Sequence, residues 1–198
     1  MTKNIFIWVA HPKAVSTNAG TLCEGLADAY QSGAENSGAK VCRLNLGDMA
    51  FQADFDGYDK PLPLEPDLID WQNAISWADH IVIIHPYWWG AMPTKAKAVL
   101  DRALTPGFAY KYHSKTVKWD KLLTGKTADA IITSDTPPLI DTFIYKKPGR
   151  RVIKNQVLGF CGIKPKNIVQ FGSVKMATPQ KIKRWIENAE QMGEKAAA

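Results

Sequence analysis

The chain lacks any apolar run near the roughly 20 residues that a membrane-spanning helix needs, and its three cysteines, Cys23, Cys42 and Cys161, form no CxxC pair. An odd count of unpaired cysteines reads as reduced structural thiols in a cytoplasmic protein. Neither GxGxxG nor GxxxxGK(S/T) occurs, so the common dinucleotide and triphosphate fingerprints are excluded. No repeat is present, no low-complexity segment exists beyond the final "KAAA", and no nucleic-acid reading element is recognisable. No metal site and no nucleic-acid partner are expected. The first apolar stretch, "IFIWVA", is too short for a secretory leader and lacks a small-residue cleavage site, so it reads as a strand.

What is present is ordinary for a globular chain: 198 residues, 45% hydrophobic and 22% charged. That length suits a single domain over residues 1–198. The net charge is +6, and basic residues crowd into 146–154 and 175–184. They read either as solvated helix faces or as a field that attracts anions such as a phosphorylated cofactor. In the second case they would select the 2′-phosphate of NADPH.

Strand and helix patterns alternate along the chain. "NIFIWVA" (Asn4–Ala10), "KVCRLNL" (Lys40–Leu46), "IVIIHP" (81–86), "KTADAIITS" (Lys126–Ser134) and "NIVQFGSV" (Asn167–Val174) read as five strands. Helices are expected over Thr17–Ser37, Pro66–Ala78, Pro93–Leu104, Arg150–Cys161 and Thr178–Met192, with Thr178 as an N-cap. Residues 47–64 read as irregular. Such alternation predicts an α/β fold, a parallel sheet covered by helices on both sides. Five strands are the number of a flavodoxin-like three-layer sandwich with strand order 2-1-3-4-5, whose ligands sit beyond the carboxyl ends of the strands.

Three loops therefore concentrate the candidate chemistry. The first, "HPKAVSTN", places His11, Ser16, Thr17 and Asn18 at a helix start, where free N–H groups and the helix dipole suit a phosphate. Ordinary capping by Ser16 or Thr17 needs no ligand and remains the alternative. The second, "HPYWWGAMP", puts Pro86, Tyr87, Trp88 and Trp89 at the end of a central strand, where aromatic faces can cover a flat heterocycle. A role for the tryptophans in a core or a subunit interface stays open. The third, "TSDTPP", offers Thr133, Ser134, Asp135 and Thr136, with Asp135 able to accept from a ring N–H or to cap the turn before Pro137.

The pattern "AHP…S…N" after strand 1, with "P.WWGAMP…K…DR…GFAY" after strand 3, resembles the flavodoxin-like NAD(P)H:quinone oxidoreductases. The resemblance implies a flavin, FAD or FMN, lying over the three loops and NAD(P)H as hydride-donating co-substrate. It implies a quinone-like small-molecule acceptor served by a ping-pong reaction. By the same resemblance His11, Ser16, Thr17 and Asn18 hold the phosphate portion, Pro86 to Trp89 border the ring, and Thr133 to Thr136 bond its polar edge. Gly107 to Tyr110 match a stretch near a homodimer interface, and Tyr110 and Tyr145 are substrate-pocket candidates. The third loop departs from the Thr-Thr-Gly-Gly type of that family, and the Tyr and His that follow it there have no counterparts in register. A flavin-binding redox-responsive regulator with little turnover is the alternative function, and an α/β protein without flavin is a third.

Overall fold

A computed structural model describes residues 2–14, 20–59, 62–114 and 116–198. Five parallel strands form one sheet in the order β2-β1-β3-β6-β7: β1 Asn4–Val9, β2 Lys40–Asn45, β3 His80–Pro86, β6 Thr127–Thr133 and β7 Lys164–Phe171. This is the expected 2-1-3-4-5 order, with the fourth and fifth sheet strands numbered β6 and β7. A short antiparallel hairpin, β4 Tyr110–Tyr112 and β5 Trp119–Lys121, stands between them in the chain.

The central strand, β3, is buried throughout because both of its faces are covered, and it is apolar between His80 and His85. Successive side chains point to opposite faces. Phe6 and Trp8 of β1 therefore join Ile81 and Ile83 of β3 under α2 (Pro66–Trp77) and α3 (Thr94–Ala103). Ile5, Ile7 and Val9 join Val82 and Ile84 under α1 (Leu22–Asn36) and the last helix, α6 (Pro179–Ala197). Each large side chain fully buried in this way contributes about 1.5–3 kcal/mol.

The helices α1 and α6 approach at backbone distance. A Cβ on Gly33 would lie 2.1 Å from the Glu190 carbonyl oxygen, and one on Gly193 would lie 2.1 Å from that of Tyr30. Only glycine fits at either crossing.

Several boundaries differ from the sequence reading. Helix α1 begins at Leu22 rather than Thr17, because Thr21 caps it: Thr21 Oγ1 accepts from the Glu24 N–H (3.2 Å) while Glu24 Oε2 accepts from the Thr21 N–H (2.5 Å). This reciprocal box has a sequence signature, Thr-x-x-Glu, at residues 21–24. Strand β7 occupies Lys164–Phe171 rather than Asn167–Val174, since Thr127 pairs with Lys164 and Thr133 with Phe171. The helical run expected over 150–161 starts earlier, with α4 (Pro148–Arg151), a π-helical stretch (Val152–Leu158) and α5 (Gly159–Cys161). Helix α6 does begin after a Thr178 cap, whose hydroxyl accepts from the Lys181 N–H, and it continues to Ala197.

Candidate active site

The carboxyl ends of β1, β3 and β6 open onto a cavity of about 290 Å³. Its lining comes from four connections: His11 after β1 with Thr21, Leu22 and Cys23 at the start of α1; Pro86, Tyr87 and Trp88 after β3; Thr133, Ser134 and Asp135 after β6; and Val174 and Lys175 after β7. Seven of the residues singled out in the sequence thus meet at one place. Ser16, Thr17 and Asn18 lie outside the described residues.

The β3 connection turns more tightly than its aromatic sequence suggests. Trp88 and Ala91 exchange backbone hydrogen bonds of 2.8 and 3.0 Å, so Trp89 and Gly90 alone make the turn. Both central residues have positive φ, 49° and 78°, as a type I′ turn requires. Consequently the two tryptophans diverge. Trp88 lines the cavity and meets the His11 ring edge-on at 5.7 Å, whereas Trp89 is fully exposed and lines no part of it.

His11 is partly buried, which pulls its pKa below the ordinary value against the opposing charge of Glu24. Its Nδ1 accepts from the Lys13 N–H at 3.1 Å, so the neutral ring carries its proton on Nε2 and offers a donor there. At the start of α1, Thr21 satisfies the Glu24 N–H and leaves those of Leu22 and Cys23 toward the cavity. Cys23 itself is no nucleophile. Burial pushes its thiol up to about 11, and its Sγ lies 3.5 Å from Thr133 Oγ1.

On the opposite wall the hydroxyls are already engaged. Ser134 Oγ accepts from Gln170 Nε2 at 3.0 Å and donates to the Thr136 carbonyl at 3.5 Å. The backbone N–H groups of Asp135 and Thr136 make no hydrogen bond among the described residues, and they are the donors left on this loop. Asp135 clasps the neighbouring connection instead of capping its own turn. It accepts from the Lys175 N–H at 2.9 Å and pairs with Lys175 Nζ at 3.2 Å, which holds its carboxyl below the usual range. Thr136 contributes no side chain to the lining; its carbonyl passes Gly172 so closely that a Cβ there would sit 2.5 Å away.

The two tyrosines named as pocket candidates stand elsewhere in this chain. Tyr110 is buried between Tyr112 and Phe160, each 5.1 Å from its ring, and burial with the neighbouring Tyr58 pushes its phenol up to about 12. Tyr145 is exposed at the end of the π-helical turn Ile140–Ile144. Neither lines the cavity. The sequence reading missed Thr21, Leu22, Cys23, Val174 and Lys175. The capping box marked the first three, the late placement of β7 hid Val174 inside a strand, and Lys175 was read only as part of the basic segment 175–184.

The basic segment 146–154 divides. Lys147, Arg150, Arg151 and Lys154 border, with Lys166, a groove of about 350 Å³ that shares no residue with the cavity. Arg150 is bound at 2.5 Å to the buried carboxylate of Asp141.

A sheet of this order with a cleft at its carboxyl edge defines the flavodoxin-like class, and residues 3–194 match the family described as flavodoxin-like fold, to which the chain belongs. Among curated proteins it is 30% identical over 115 residues to an uncharacterized NAD(P)H oxidoreductase of Haemophilus influenzae, a match covering 58% of this chain and 56% of that one. It is 36% identical over 76 residues to a ribosyldihydronicotinamide dehydrogenase-like protein of Penicillium crustosum, covering 35% and 28%. The aligned part thus spans about half or less of these relatives. Among solved structures, Smu.1420 of Streptococcus mutans UA159 shares the fold at a TM-score of 0.81 and 22% identity, over 97% of this chain and 99% of that one. The NAD(P)H:quinone oxidoreductase of Methanothermobacter marburgensis superposes at 0.80 with 20% identity, over 100% and 98%. An FMN-dependent NADH-azoreductase of Bacillus anthracis, solved with FMN, superposes at 0.75 with 17% identity, over all of both chains.

Proposed function

We propose that the chain is a flavin-dependent NAD(P)H oxidoreductase that delivers two electrons to a quinone-like acceptor by a ping-pong reaction. The observation that carries this reading is a cleft in which Trp88, the start of α1 and Asp135, followed by the free N–H of Thr136, come together. The residues present fit a flavin. Trp88 offers an aromatic flank, the α1 terminus and His11 Nε2 offer donors to a phosphate, and the 135–136 amides offer donors to a ring's polar edge. When bound, the flavin supplies the hydride chemistry, and the protein supplies position and electrostatics. The oxidoreductase names of the two curated relatives, and the FMN in one structural neighbour, support the same reading.

The chain's own residues would act by binding and orientation. Trp88 and Pro86 exclude water from one side of the cleft, and the 135–136 amides stabilise negative charge that develops against them on reduction. Neither Tyr110, whose phenol is pushed up to about 12, nor Tyr145 lines the cavity, so this reading takes its protons from water. The full reading is of one domain working in the cytoplasm. It places NADPH selectivity on the basic groove and a homodimer on the exposed apolar side chains of Trp89, Leu139, Phe143 and Ile144. The decisive experiment is the visible spectrum and mass of the cofactor released from purified protein, followed by steady-state NAD(P)H oxidation with menadione. A yellow chromophore with rapid turnover is expected. Reduction without turnover would favour the regulator, and a colourless protein after saturation with FMN and FAD would overturn flavin binding.

A further inference from the structure

Tyr87 forms a wall of the first cavity and also a wall of a second one, of about 340 Å³, on the α3 side of the sheet. The second cavity is predominantly apolar, closed by Met92, Leu100, Val152 and Val157. Gly149 meets Tyr87 in its wall so closely that a Cβ there would come within 2.4 Å of the ring. Lys97, also in its lining, is paired with Asp101.

One lining residue stands apart. His85 is two residues before Tyr87 on the same face of the strand end, is 1% exposed, and lines this cavity. Its Nδ1 lies 2.8 Å from the Pro86 carbonyl oxygen, which can only accept, so Nδ1 carries the proton. Burial lowers the ring's pKa to about 4, so at neutral pH it is uncharged and Nε2 is an acceptor. That Nε2 is buried and has no partner among the described residues. A buried polar atom without a partner calls for an explanation, and here the residue that bears it lines a ligand-sized cavity.

We propose that this second cavity is a binding site for a small aromatic molecule bearing a hydroxyl, of the phenol class, whose O–H donates to His85 Nε2. The volume, at the small end of ligand pockets of about 300–1,000 Å³, suits one ring. The apolar lining disfavours ions, which would be desolvated without a counter-charge. An acceptor facing the ligand disfavours a quinone, whose oxygens only accept, and favours the reduced, hydroxyl-bearing form. Nε2 is itself closed to water, so the ligand reaches it by displacing a wall side chain. Met92, unbranched and adaptable, is the most deformable member of that wall. If the proposed reductase activity holds, its hydroquinone product belongs to the class this site selects, but the site stands on its own observations.

The test compares phenol with toluene, which has the same ring without the donor. Dissociation constants are read by ligand-observed NMR on purified protein, with and without excess FMN. His85→Phe keeps the wall apolar and removes the acceptor. It should lower the phenol-to-toluene affinity ratio about tenfold, or about 1.4 kcal/mol. Val152→Trp, from a half-exposed position at the cavity, should fill the space and abolish binding of both. It also serves if His85→Phe fails to fold. Excess FMN should leave phenol affinity unchanged. An unchanged ratio in His85→Phe, phenol retained in Val152→Trp, or displacement of phenol by FMN each overturns the proposal. Loss of phenol binding as the chain is concentrated also overturns it, because a second copy would then occupy the cavity. None of these readouts depends on turnover, so failure of the reductase reading remains separable.

Discussion

Replacing Trp89 with Asn should make the protein more stable, although it removes the largest of side chains. Trp89 is 104% exposed, so it buries no apolar surface whose loss could be felt. Its φ of 49° is a left-handed conformation that costs an ordinary L-residue roughly 1–2 kcal/mol. Asparagine tolerates that region, and Trp89→Asn places the favoured Asn-Gly pair in a type I′ turn. The net gain should be about 1 kcal/mol, which for a chain of this length raises the melting temperature by about 2–4 °C. The assay is thermal and urea unfolding of dilute protein, where the urea midpoint should rise with the slope unchanged. Trp88→Leu in parallel removes a wall of the cavity and should weaken flavin binding more than tenfold, whereas Trp89→Asn should leave it within about threefold. A fall in stability of 1 kcal/mol or more for Trp89→Asn in dilute solution would refute the reasoning, because it would mean that the exposed indole packs against something in the native state.

Asp129 should prove the costliest single polar residue to remove. Its carboxylate is 1% exposed and accepts from the Tyr30 hydroxyl (2.9 Å) and from the Asn167 backbone and side-chain amides (2.9 Å each), with His80 at 3.5 Å. Asp129→Ala should therefore cost about 3–5 kcal/mol in urea unfolding. Burial alone would raise its pKa, but the His80, Tyr30 and Asn167 interactions outweigh it and take the folded value below the ordinary one. That contribution is fully present above an unfolded value near about 3.9 and is lost as pH falls through the folded value, so acid titration of stability should flatten in the variant. Cys23, its thiol raised to about 11, should resist iodoacetamide at pH 8 in native protein and react only in urea, as peptide mass spectrometry would show. Gly149→Ala drives a methyl to 2.4 Å from the Tyr87 ring and should cost about 1–3 kcal/mol, with weaker flavin binding in a spectroscopic titration.

The sheet was legible because β1, β3 and β6 are covered on both faces and read as short apolar runs, while the alternation of strands with helices set the expected order. The hairpin of β4 and β5 was not, since three-residue strands carry too little pattern to register. At the site, Pro86, Tyr87 and Trp88 could be found because a sheet of this class opens at its carboxyl ends. The divergence of Trp88 from Trp89 could not, because it depends on a positive φ at a residue that rarely adopts one. The start of α1 was misjudged for a local reason: Ser16 and Thr17 look like caps, but Thr21 has the glutamate three residues on that completes the box. The clasp between Asp135 and Lys175 also escaped, since the two stand 40 residues apart in sequence.

The glycine-mediated contact between α1 and α6 bears on the order in which this molecule can be completed. Tyr30, Gly33 and Ala34 meet Glu190 and Gly193 at van der Waals range, and Lys3 Nζ reaches the Ala196 carbonyl at 3.2 Å. During synthesis residues 22–36 emerge long before 179–197, so α1 must wait for its cover while the chain between them is made. Until α6 docks, α1 rests on the sheet through Cys23, Leu26 and Tyr30, but the side of it that meets Trp185, Ala189 and Met192 is open to water. A nascent chain halted before residue 179 would thus carry all five strands and every lining residue of the cleft, yet only part of the cover that α1 has in the finished fold.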